Sequence, residues 1–245
     1  MVRNERHIAA LALVAVIALA IGATFALADP AAPTALTPVT STARDVSGLP
    51  AQSVQARGGN VTEVNIDALT QTRVWQGYYG NIAGEITLDN ANNFTFYNWS
   101  IATVQGEVYA SRNSAVTWAN VNCSNSTQRD EENTYINRSS ADGDSVTNTY
   151  SLTSHPAFSV GSFAVTANSC YSTYGFVANA SQTANWSMVF LQDDSGPNGV
   201  VYASIINDSV VGFDSVAHDF QLLVPENENT GFIGTTLYYF WVELS

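Results

Sequence analysis

The stretch VWQGYYGNIAGEITLDNANNFTFYNWS, residues 74–100, carries seven aromatic side chains and two Asn-x-Ser/Thr sites. Its spacing is that of strands. Ile82, Gly84, Ile86 and Leu88 fall on one face of an extended chain, and Ala83, Glu85, Thr87 and Asp89 on the other, because side chains alternate with a period of two. The run DNANN is turn chemistry, after which Phe94 and Phe96 alternate with Thr95 and Tyr97 in a second strand. Each aromatic can bury roughly 150 to 250 Å². Phe94 and Phe96 are therefore expected to face a core, with Asn93 and Thr95 outward, where a glycan fits. Asn98 shares their parity and is exposed only if the strand bends or ends near Tyr97. The competing reading makes Trp75, Tyr78, Tyr79, Tyr97 and Trp99 a platform on which sugar rings stack.

Outward from this stretch, strand-like runs recur in VQGEVYAS, AVTWANV, FSVGSFAVTA, NWSMVFLQ, GVVYASII, HDFQLLV and TTLYYFWVEL, separated mostly by Gly, Asn and Asp. Val61 to Ile66 reads as the first strand. The polar interval from Cys123 to Asn148 reads as a surface excursion rather than core. No amphipathic helical pattern stands out after the N-terminal apolar run. The expected fold is all-β, an antiparallel β-sandwich of two packed sheets, forming a single domain over residues 56–245. In the last segment, Thr235 to Leu244, both faces are apolar until Glu243. Such a strand belongs inside a sandwich or at an edge that something covers.

Ahead of that domain, residues 29–55 are rich in Pro, Ala, Ser and Thr and lack aromatics, the composition of an extended tether. Residues 1–28 combine Arg3, Arg6 and His7 with a long apolar run ending Ala26-Leu27-Ala28. This is the order of an export signal cleaved before Asp29; the alternative is an uncleaved membrane anchor. Either way the bulk of the chain is expected to be secreted or at the cell surface, with membrane contact only if the segment is retained.

The chain has 21 acidic residues, eight arginines and no lysine, for a net charge of -13. Nucleic acid and anionic lipid would repel it. Acid excess without lysine also suits salty surroundings, where screening relaxes self-repulsion. Cys123 and Cys170 are the only cysteines, and in an oxidising compartment two such residues predict a disulfide. Asn-x-Ser/Thr sites occur at Asn60, Asn93, Asn98, Asn122, Asn125, Asn137, Asn179, Asn185 and Asn207. In an exported chain these are N-glycosylation candidates.

Reaction chemistry is sparse. A phosphate loop needs a lysine the chain lacks. His155 and His218 lack zinc-helix spacing, and His218 beside Asp219 has no accompanying Gly-x-Ser-x-Gly elbow. Glu85, Asp89 and Glu107 are conceivable glycosidase carboxylates, with nothing to mark a pair. Asp193, Asp194, Ser195 and Asn198 gather oxygen ligands of the kind calcium takes, without the EF-hand order. A plain turn is the simpler reading there, so no cofactor is expected.

The segments TQTRVWQGYYGNIAGEITLDNANNFTFYNW, GEVYASRNSAVTWANVNC and GFDSVAHDFQLLVPENENTGFIGTTLYYFWVEL, at residues 70–99, 106–123 and 212–244, resemble a group of uncharacterised secreted archaeal surface proteins. The resemblance spans most of the chain after the apolar run and implies an archaeal surface location, with no catalytic or ligand-binding residue to carry over. Taken together, the sequence leads to an expectation of a non-catalytic, glycosylated structural or adhesion protein assembling through β-strands, with cell-surface proteins, glycans or itself as partners. A carbohydrate-binding module is the alternative, followed by a secreted hydrolase.

Overall fold

The computed structural model describes residues 29–44, 50–196, 199–227 and 235–245. The N-terminal apolar run and Asn198 lie outside them. The fold is mixed, built on one six-stranded antiparallel sheet rather than the two of a sandwich. In chain order the strands are β1 (Trp75–Gly80), β2 (Glu85–Asp89), β3 (Thr95–Ser100), β4 (Gly106–Ser111), β5 (Val121–Cys123), β6 (Phe158–Val160) and β7 (Phe163–Val165). They continue as β8 (Ser172–Val177), β9 (Ser181–Asp193), β10 (Val200–Ile205), β11 (Val210–Val211), β12 (Ala217–His218), β13 (Phe220–Pro225) and β14 (Tyr239–Leu244). Two helices, α1 (Ser126–Tyr135) and α2 (Val146–Thr149), interrupt them.

The main sheet runs β14-β4-β10-β9-β5, with β8 also paired to β9. Its central strands are apolar on both faces because both faces are covered. Val108, Ala110, Met188, Phe190 and Tyr202 enter one cluster with Leu222 and Val224 of β13 and with Val74, just before β1. Tyr109, Val189, Leu191, Val201 and Ala203 enter a second, under Trp118, the β6–β7 hairpin and Cys170. The sheet is thus the middle layer of three.

The all-β sandwich expectation is overturned by α1 and α2, which dock on the first face. Ile136, Val146 and Tyr150, at and between the helix ends, are completely buried there. The polar interval that read as a surface excursion therefore supplies part of the core. Helix α1 carries no apolar stripe because polar groups hold it. Arg112, just past the end of β4, grips Glu132 through both terminal guanidinium nitrogens. Tyr202 donates to the same carboxylate at 2.9 Å, and Arg112 lies 3.9 Å over the Tyr135 ring. The helix start is written in the sequence as a capping box: Asn125 Oδ1 accepts from Thr127 and Gln128 N–H, while Gln128 Oε1 accepts from Asn125 N–H.

Val61 to Ile66 is a second correction, since it forms no strand. Residues 50–71 are exposed throughout. Among the described residues, 61–69 make no hydrogen bond to the rest of the chain. Within the 29–55 segment read as a tether, Ala31 pairs with Val242 on the outer edge of β14, with N–H···O bonds of 3.0 and 2.9 Å.

Candidate functional site

Strands β2 and β3 form a hairpin arm that is exposed at every residue. Its turn is built by Asn90, whose Oδ1 accepts from the N–H groups of Asn92 and Phe94. Asn93 takes a left-handed φ of 62° that asparagine tolerates better than most residues. Register places Ile86 opposite Trp99 and Leu88 opposite Tyr97, so these four share one face. Glu85, Thr87, Asn98 and Ser100 share the other. The bulge between Leu88 and Asp89 breaks the simple alternation beyond Tyr97. Like the rest of the arm, Phe94 and Phe96 are exposed, at 70% and 83%, against the inward placement expected of them. Tyr97 and Trp99 are 55% and 47% exposed, with ring centroids 4.7 Å apart.

The root of the arm is fixed. Ile82 N–H donates to Asp219 Oδ2 at 2.7 Å. Gly84 lets the backbone come close to β14: a Cβ there would meet the terminal methyls of Leu244 and Ile101 at 2.6 and 3.1 Å, and these side chains would have to shift. The five-aromatic platform does not form as one surface. Trp75 and Tyr78 pack on the first core cluster, Tyr79 lies against Phe213 and His218, and Tyr97 and Trp99 sit out on the arm.

Of the three carboxylates considered for hydrolysis, Glu85 and Asp89 lie on the arm, and Glu85 accepts from Asn98 Nδ2 at 3.0 Å. Glu107 lies apart from them on β4, directly opposite Glu243 of β14. Glu243 accepts from Tyr109 OH at 3.1 Å and from Gly161 N–H at 3.0 Å. Both glutamates border a cavity of about 500 Å³ that also touches Pro156, Asp208 and Ser245. Burial first, then the Glu243 charge, pushes the Glu107 carboxyl up to about 8, against the lowering effect of Tyr109. Burial likewise raises Glu243. At neutral pH the pair holds a proton rather than two charges.

The remaining candidates are committed to the fold. His155 Nε2 accepts from Ser169 and Cys170 N–H at 3.1 and 2.9 Å. That bond set steadies the loop bearing Cys170, which is bonded to Cys123 with a Cα–Cα distance of 4.9 Å. His218 pairs with Asp214 at 3.0 Å, and Asp219 is occupied by Ile82 and Ser209 N–H. Asp193 spends its oxygens on Thr117 N–H and on Ser195, while Asp194 contacts Asn122. Among the described residues, no group of three or more His, Cys, Asp or Glu is arranged to hold a metal ion.

No family model, curated protein or solved structure matches this chain.

The glycosylation candidates sit mostly where a sugar has room. Asn60, Asn93, Asn98, Asn125, Asn137, Asn179 and Asn185 are exposed, and Asn122 and Asn207 are half-buried. Asn125 caps α1 through Oδ1, which leaves its Nδ2, the atom a glycan joins, outside the cap. Asn122 and Asn207 instead donate Nδ2 to Asn120 and Asn185 carbonyls. Sequence reasoning missed the Glu107–Glu243 pairing and the Arg112–Glu132 anchor. A signal for the first was present, since each glutamate interrupts an otherwise apolar strand in GEVYAS and WVEL.

Proposed function

We propose that this chain is a non-catalytic, glycosylated structural or adhesion module of the cell surface that assembles through β-strands. The observation carrying this reading is the β2–β3 arm, which stands clear of the body with an apolar face of Ile86, Leu88, Tyr97 and Trp99 and a polar face bearing Asn98. At their exposures the four aromatics of the arm leave on the order of 500 Å² of ring surface uncovered. With half-exposed Ile86 and Leu88 beside them, the patch is at the upper end of what single chains show, and patches of that size mark contact sites. Asn93 at the turn would carry sugar without covering the apolar face. The acidic, lysine-free composition and the signal-like N-terminal run support the extracellular setting.

Surface labelling of intact cells, followed by glycopeptide mass spectrometry, tests this reading. Labelled, glycan-bearing protein is expected. Unmodified protein confined to the cytoplasm would sink it. The exposed Tyr97–Trp99 pair supports carbohydrate binding as a second reading. Quenching of tryptophan fluorescence by cell-wall polysaccharide, lost in Trp99→Ala, would favour it over assembly.

A further inference from the structure

Resting on that reading, we propose that residues 62–69 of one copy add as a third strand to the open edge of the β2–β3 arm of a second copy, joining chains head to tail. The donor is patterned as a strand: Val64, Ile66 and Ala68 share one face and Glu63, Asn65 and Asp67 the other. A half-buried strand pattern needs a sheet, yet within one chain this segment is exposed and makes no hydrogen bond. The acceptor has the complementary lack. A two-stranded hairpin is marginal in water and gains independent stability from a third strand, while its outer edges present unpaired N–H and C=O groups.

The faces agree when the donor is laid alongside. Val64, Ile66 and Ala68 extend the apolar surface of Ile86, Leu88, Tyr97 and Trp99, and the donor's acids join Glu85, Thr87 and Asn98 on the wet side. Val64 and Ile66 are themselves exposed, Ile66 at 82%. The joint covers the sheet edge, where main-chain hydrogen bonds between donor and arm supply the affinity.

The two elements also sit at opposite ends of one rigid strand. The donor leads into Thr72, bonded to Asp144 at 2.8 Å, and buried Val74 at the start of β1. The arm is rooted beyond the end of β1, at Ile82 on Asp219 and at Gly84 against Leu244. Six residues of β1, fixed to β13, hold these points roughly 17 Å apart. A donor at one end and an acceptor at the other make a heterologous contact, which propagates into a filament unless the rotation closes a ring. Because Glu63 and Asp67 would come to lie beside Glu85 and Asp89, joining requires screening. It is expected at about 1 M NaCl, where the Debye length is about 3 Å, and not at about 0.01 M.

The test uses the full chain and two variants in sedimentation velocity and electron microscopy. Val64→Asp with Ile66→Asp disables the donor and leaves the arm intact; Tyr97→Ser with Trp99→Ser does the reverse. These four positions are exposed, so both variants are expected to fold, which circular dichroism checks. In high salt the parent should form filaments or rings, each variant alone should remain monomeric, and their mixture should form a 1:1 dimer, since one intact joint remains. Cross-links between residues 62–69 and 85–100 in a mixture of isotope-labelled and unlabelled parent should join unlike chains. A parent that stays monomeric in high salt, a donor variant that still polymerises, a folded mixture that stays monomeric, or cross-links confined to single chains would each overturn the proposal. Surface location and glycosylation are read separately, so a glycosylated surface monomer would defeat this joint and leave the surface reading standing.

Discussion

Glu107 and Glu243 are direct cross-strand partners in the β4–β14 ladder, each only 7% exposed. Directly opposed side chains stand about 5 Å apart at Cβ, so two charges there would repel with little water between them. Burial and the mutual charge raise Glu107 from 4.5 to about 8, and Tyr109 and Gly161 both donate to Glu243 Oε2. Asp29 adds further negative charge from the N-terminal side.

The pair fixes the sign of the pH dependence. Below about pH 4.5 folded and unfolded chains both hold the Glu107 proton. Between there and about pH 8 only the folded chain does, so unfolding releases it and stability falls as pH rises. The slope from this group is about 1.4 kcal/mol per pH unit at most, a total on the order of several kcal/mol. Urea unfolding should show a lower midpoint at pH 8 than at pH 5, and Glu107→Gln should flatten the difference. An unchanged slope in that variant would show that other groups set it.

Removing Glu132 should be more damaging than removing either glutamate of that pair. Burial works against the Arg112 charge, but the bidentate Glu132 contact more than restores it and leaves the guanidinium pKa raised. Glu132→Ala would strand a buried cation and release the Tyr202 hydroxyl, a loss of about 3 to 5 kcal/mol. Chemical denaturation checks this. A loss under about 1 kcal/mol would mean that α1 is not pinned to the sheet through Arg112.

Phe94→Ala and Phe96→Ala are expected to change stability by no more than about 0.5 kcal/mol each, as exposed substitutions do. Core residues would cost about 3 to 5 kcal/mol. The turn and both strands of the arm were legible from period and Asn content. Burial was not, because alternation shows that one face differs from the other without showing that anything lies against it. The same limit hid the third layer: a run such as VVYASI is apolar on both faces whether one partner sheet or two layers cover it. Helix α1 was invisible to apolar periodicity because its buried residues are Glu132 and Asn133, and its one local mark was the Asn125–Gln128 capping box. The disulfide needed only two cysteines and a compartment.

Glycan occupancy should follow the freedom of each Nδ2. Asn122 and Asn207 are half-buried and spend that nitrogen on Asn120 and Asn185 carbonyls. Asn122 also adjoins the bonded Cys123. Glycopeptide mass spectrometry should find these two less occupied than Asn60, Asn93 and Asn179. High occupancy at Asn122 would mean that modification precedes closure of the disulfide loop.

The terminal strand should prove indispensable to the monomer. Its two apolar faces suit the inside of a structure, and β14 is an edge strand that achieves this in two ways. Phe240, Val242 and Leu244 pack on the first core cluster while Trp241 packs on the second, and the edge itself is partly closed where Ala31 bonds Val242 in both directions. Deleting residues 239–245 would strip one of the two partner strands from all of β4, open both clusters, and leave Glu107 and Tyr109 without Glu243. That is comparable to the 5 to 15 kcal/mol by which a domain is ordinarily stable if each of the large side chains lost costs about 2 to 5 kcal/mol. The truncated chain should therefore show no cooperative urea transition by tryptophan fluorescence. Deleting residues 29–31 alone should leave the transition intact with a lower midpoint, because only one bridge is removed. A cooperative transition in the 239–245 deletion, within about 1 kcal/mol of the parent, would show that β14 is dispensable and that β4 can serve as the sheet edge.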